Sequence, residues 1–106
     1  MGKIFEYFGF IFYFFSNEHE PVHVHVKRSS TECIFDLIME DGKLIRIERR
    51  EKTGADPMSS QDAEEAGEFI YYYWQKIVEK WVDCFVYRKA VKNTKITKRI
   101  KKNKER

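Results

Sequence analysis

The chain has 106 residues, a formal net charge of +3 and 42% hydrophobic residues, which bounds it to one domain around one core. A TIM barrel, a kinase fold or a doubly wound fold with two ligand-binding halves does not fit that length. Nine Phe, six Tyr and two Trp supply a large apolar payload, since each buried ring removes roughly 150–250 Å² from water.

Residues 3–8 and 10–16 are two runs rich in Phe, Tyr and Ile around Gly9. Such residues favour a pleated surface, and Gly9 fits a tight reversal between two strands. The run Ile4–Phe15 superficially resembles the apolar stretch of a signal peptide. It contains Glu6, is dominated by aromatics and lacks a small-x-small cleavage site. It is also shorter than the ~20 residues a spanning helix needs. A cytoplasmic protein without a membrane segment is therefore expected.

Asn17-Glu18-His19-Glu20-Pro21 reads as a turn, because Pro21 cannot donate to a ladder and pushes Glu20 out of the helical region. Residues 22–28 then alternate. Val22, Val24 and Val26 share one face; His23, His25 and Lys27 share the other. The valines belong to the core, so both histidines are expected on the uncovered side of the strand. Residues 33–40 and 43–50 form a hairpin around Asp41-Gly42, a pair that tolerates positive φ at both positions.

Residues 51–58 read as a polar linker with Gly54 and Pro57. A helix follows, capped by Ser59 or Ser60, with Asp62, Glu64 and Glu65 near its positive end. Ala66, Ile70, Tyr73, Trp74, Ile77, Trp81, Cys84 and Phe85 recur at helical spacing. Phe69, Tyr71, Tyr72, Val78 and Val82 widen that stripe beyond what one sheet face covers, which predicts a homodimer through the aromatic helix. From Arg88 the pattern decays, and the segment either prolongs the helix or frays. The predicted fold is α+β: an antiparallel sheet of about five strands, then one long helix on one face. Residues 1–88 form the domain and 89–106 a basic extension.

The small net charge hides a segregation. Residues 88–106 hold ten Lys/Arg against one acid, or +9, and residues 1–87 carry −6. Arg88, Lys89, Lys92, Lys95, Lys98, Arg99, Lys101 and Lys102 form a candidate polyanion-binding set, for nucleic acid, an anionic membrane, an acidic partner or the acidic body itself. Cys33 and Cys84 are expected to be reduced, small buried thiols.

All three histidines lie in His19-x-x-x-His23-x-His25. Residues two apart on a strand point the same way, roughly 6.5–7 Å apart. His23 and His25 are thus candidate ligands for a shared divalent metal, zinc or nickel, with His19 folding back as a third. Glu18 or Glu20 is the candidate catalytic base. A Cys33–histidine pair is a further arrangement. The motifs H-E-x-x-H, G-x-x-x-x-G-K-[ST] and G-x-S-x-G do not occur.

The segment Ser16-Asn17-Glu18-His19-Glu20-Pro21-Val22-His23-Val24-His25-Val26 resembles the hallmark of the small bacterial family DUF4160, a domain of unknown function. An aromatic strand pair before it (Phe5–Phe15), a hairpin after it (Cys33–Arg50) and a helix carrying Trp81 complete the likeness, over roughly residues 4–86. The resemblance implies a compact α+β domain with no accepted catalytic residues. It marks Asn17, Glu18, His19, Pro21, His23 and His25, and it carries the idea of a toxin–antitoxin-like pair. The linker at 51–58 and the extension after Arg88 depart from the family pattern. Two functions follow: a protein-interaction module, in which Asn17 and Pro21 shape the turn, or a metal- or histidine-dependent hydrolase or nuclease using the histidine cluster.

Overall fold

The computed structural model describes residues 2–15 and 22–100. Among these, the chain runs β1 (Gly2–Tyr7), β2 (Phe10–Phe14), β3 (His23–Arg28), β4 (Thr31–Glu40), β5 (Lys43–Glu51), β6 (Asp56–Pro57), α1 (Ser60–Phe85) and β7 (Thr94–Ile96). The architecture is α+β, as expected, with a larger and partly parallel sheet. Its order is β5-β4-β3-β2-β1-β7, with β6 alongside β4.

The turn chemistry explains the meander. Phe8 and Gly9 both take positive φ (43° and 91°), as do Asp41 and Gly42 (54° and 77°), the conformation of a two-residue reversal whose twist matches its strands. Adjacent strands β1 to β5 pair antiparallel. The two additions fall where the sequence showed no strand periodicity. Residues 56–57, read as linker, pair parallel with Thr31 and Glu32 of β4, beyond the end of β5. Residues 94–96, read as fraying or prolonging the helix, pair parallel with Phe5–Tyr7. The helix cannot continue because Arg88 turns left-handed (φ 58°). The Lys89 amide there donates back to the Asp83 carbonyl at 2.8 Å.

Helix α1 starts at the Ser59 cap, whose hydroxyl accepts from the Asp62 amide at 3.1 Å. It kinks at Tyr73, where φ/ψ leaves the helical region (−109°, 18°). Its inward face is Ala63, Ala66, Phe69, Ile70, Ile77 and Trp81. Phe69, which the sequence reading set beside the stripe, is fully buried at the centre of the core. Its ring stacks on Phe12 (4.5 Å) and meets Tyr7 (4.7 Å), Phe5 (5.5 Å) and Tyr73 (4.7 Å). Val24, Val26, Cys33, Phe35 and Leu37 extend the same layer across β3 and β4. No described helix is long and apolar enough to cross a membrane.

The basic segment folds back on its own acidic body as far as Ile100. Asn93 donates to Glu6 (2.7 Å), Arg99 pairs with Glu65 (2.7 Å) and lies 4.0 Å over the Phe8 ring, and the Ile100 amide donates to the Tyr7 hydroxyl (3.3 Å). Lys80 on the helix donates to the Lys92 carbonyl (2.6 Å). Burial lowers the pKa of its ammonium group, with Lys76 adding to that effect and Asp83 opposing it.

Candidate functional site

Strand β3 alternates as its sequence requires. Val24 and Val26 are fully buried beneath the helix. His23 and His25 point to the opposite face, where β2 and β4 supply their neighbours: Tyr13 stands across from His25 on one side, Ile34 on the other, and Asp36 faces His23. The expectation that this side is uncovered is overturned, since His23 is 8% exposed and His25 2%. Aromatic side chains close over the imidazoles. Tyr13 stacks on His25 at 5.1 Å and the Phe15 ring meets it edge-on at 4.6 Å. The two imidazole centroids are 5.6 Å apart.

Charged groups frame this aromatic patch. The Tyr13 hydroxyl donates to Glu32, directly along β4 from Ile34. Arg50 on β5 donates to both carboxylate oxygens of Asp36, at 2.7 and 2.9 Å. Such a two-point pair fixes geometry as well as charge. Lys52 lies 5.0 Å over the Phe15 ring. The sequence reading missed Tyr13, Phe15, Glu32, Asp36 and Arg50. Their signal was the outward series Glu32, Ile34, Asp36 alternating with Cys33, Phe35 and Leu37, which needs the strand register to become a site.

The motif residues Asn17, Glu18, His19, Glu20 and Pro21 lie outside the described residues. His23 and His25 could supply two imidazole ligands to zinc or nickel. Among the described residues, no group of three His, Cys, Asp or Glu is placed to hold a metal. Cys33 does not pair with His23 or His25. It faces the helix layer opposite Val26, with its thiol 3.8 Å from the Met58 sulfur. Burial, reinforced by Glu51 and Glu32 and opposed by Arg49, pushes that thiol up to about 11. Both cysteines are free.

Of the polyanion-binding set, Arg88, Lys89, Lys92, Lys95 and Lys98 are exposed. Arg99 is engaged with Glu65 and Phe8. Lys101 and Lys102 lie outside the described residues.

A second feature lies at the sheet edge. β5 pairs with β4 and ends the strand order. Most of its residues are exposed, Ile45 among them at 47%. Beside it, a groove of about 500 Å³ runs between β5 and the first half of α1, floored by Phe35, Ile47, Ala63 and Gly67 and flanked by Tyr71. The groove exists because Ala63 and Gly67 offer little side chain toward β5.

The family model for DUF4160, described as a domain of unknown function, matches residues 9–82. The chain belongs to the DUF4160 family. The match takes in the histidine strand, the hairpin and most of the helix, and stops before β7. No curated protein and no solved structure matches the chain.

Proposed function

We propose that this DUF4160 chain is a protein-interaction module whose contact surface is β5 with its adjoining groove. The observation that carries the reading is the position of β5: a nine-residue strand at the end of the sheet, directly beside an apolar groove. An edge strand offers main-chain donors and acceptors to an added strand, and the groove offers a pocket for its side chains. The family resemblance adds a finer reading, a small protein partner in a toxin–antitoxin-like pair. Exposed Tyr72 at the middle of α1, with Val86 and Tyr87 just past its C-terminus, offers further apolar contact surface for it. A photo-crosslinking residue in place of Ile45, compared with one in place of Ser30 in the β3–β4 turn, tests the proposal in the native cells. Adducts to one discrete protein from position 45 alone support it. Equal labelling from both positions, or none, contradicts it.

A second reading, a histidine-dependent hydrolase or nuclease, is favoured by one observation: Asp36 stands opposite His23 and is held by Arg50. A carboxylate that orients an imidazole prepares it for general-base work. In this reading His19, Glu18 and Glu20 complete the site. Phosphodiester hydrolysis that survives Lys43→Ala but is lost in His23→Gln supports it; no hydrolysis in the wild-type protein removes it.

A further inference from the structure

Resting on the interaction reading of β5, we propose that the strand which adds to this edge is β5 of a second copy, antiparallel and centred on Ile47. Ionised side chains on an edge strand ordinarily discourage pairing, but they do so only against a strand whose charges fail to match. Arg46 and Glu48 share the outward face of β5, opposite Ile38 and Asp36 of β4, and already touch each other at 2.6 Å. A two-fold axis through Ile47 places Arg46 of each copy opposite Glu48 of the other, giving two opposite-charge pairs.

Neighbouring registers fail. Centring on Glu48 sets Glu48 against itself and Arg46 against Arg50. Centring on Arg46 sets Arg46 against itself. Centring on Arg49 sets Arg49 against itself and Ile47 against Glu51. Directly opposed like charges are destabilising. The outward face alone also admits Arg49 as centre, which sets Glu48 against Arg50, but the inward face rejects it, so Ile47 is the centre that the two faces select together.

The inward face agrees. Ile47 is half-buried on the floor of the groove with Phe35, Ala63 and Gly67. Pairing about Ile47 brings the two isoleucines side by side and joins the two grooves across one continuous sheet. Each copy then covers apolar surface that the other's helix leaves open. The bulge at Ile45, between the pairs Ile38–Arg46 and Met39–Leu44, bends the strand beyond this stretch and confines the junction to its centre. Self-contact thus falls on β5 rather than on the aromatic helix, where the stripe width alone had placed it.

Light scattering on the full chain and three variants tests the register. The wild type should have twice the chain mass. Arg46→Glu and Glu48→Arg should each weaken the dimer by about tenfold or more, since either change makes all four facing charges alike. The Arg46→Glu/Glu48→Arg double variant should dimerise again. Should the charge variants fold poorly, Ile47→Cys in a Cys84→Ser background gives an independent readout. Residue 47 meets its own copy within disulfide reach, whereas Ile45→Cys lies roughly 13 Å from its counterpart. Oxidation should link the first and spare the second. A wild type that stays monomeric near 100 µM, single charge variants that dimerise normally, or equal cross-linking at 45 and 47 overturns the proposal. A monomer whose position 45 photo-crosslinks to a different protein overturns self-pairing and leaves the interaction reading standing.

Discussion

Asp36 faces His23 across the β3–β4 ladder, both on the side of the sheet away from the helix. Neither is open to water: each is 8% exposed. A buried carboxylate must be paired, and Arg50 does this from β5 with two hydrogen bonds. The face that the sequence places in solvent is therefore closed over at His23 and Asp36.

Removing Arg50 should cost more than removing the charge of Asp36. Arg50→Ala leaves a largely buried carboxylate without its guanidinium, whereas Asp36→Asn leaves an arginine whose side chain is about half exposed. Hydrogen bonds to charged groups are worth about 1.5–3 kcal/mol, and the exposure of Arg50 puts the expected loss for Arg50→Ala near the lower bound. Urea denaturation of both variants checks the order. Equal or reversed losses would mean that the pair does not hold Asp36.

Phe69→Ala should be among the most damaging single changes. Its ring is fully buried and meets Phe5, Tyr7, Phe12 and Tyr73. Truncating such a ring costs about 3–5 kcal/mol, a large part of the stability of a small domain. Tyr72→Ala, at an exposed site on the same helix, should cost under about 0.5 kcal/mol. Thermal melts of the two compare them directly.

How much of this was legible follows from the range of each signal. The alternation of Val22–Val26 and the Asp41-Gly42 turn are local, and they placed one strand and a hairpin correctly. The burial of His25 depends on Tyr13 of β2 and Phe15 just beyond it, and alternation within β3 carries no information about them. Asp36 became visible only through register. Thr94-Lys95-Ile96 is too short and polar to show a strand period; its pairing comes from the Phe5–Tyr7 edge and from Asn93, Lys80 and Arg99 around it.

Cys33 and Cys84 should separate in reactivity. Burial holds the Cys33 thiol neutral, with a pKa of about 11 against an ordinary 9.0. Only the thiolate reacts, so native protein near neutral pH should take one alkyl group at half-buried Cys84, and a second only on unfolding. A raised thiol pKa means that the folded state holds its proton more tightly. Its contribution to stability is complete below about pH 9 and lost as pH rises through about 11. Mass spectrometry after iodoacetamide treatment reads the first expectation. Rapid double labelling of folded protein would refute it.

The basic segment should act on its own body before it acts on others. Deleting residues 93–106 removes β7 and the contacts of Asn93 and Arg99, and should lower the melting temperature. Arg99→Ala alone should cost about 0.2–1 kcal/mol, and less at high salt, since the pair is exposed. If the exposed Lys95 and Lys98 also hold a polyanion, heparin affinity should fall steeply with salt. It should weaken in a Lys95→Ala/Lys98→Ala variant. A truncated chain with unchanged melting and unchanged heparin binding would contradict both roles.

Backbone hydrogen exchange, measured in dilute and concentrated solution, reads the fate of β5 without any substitution. Amides of residues 46–50 should slow as concentration rises, while those of β7 at the opposite edge keep their rates. Slowing confined to the helix, or no change at either edge, would contradict the assignment of β5 as the surface on which two copies meet.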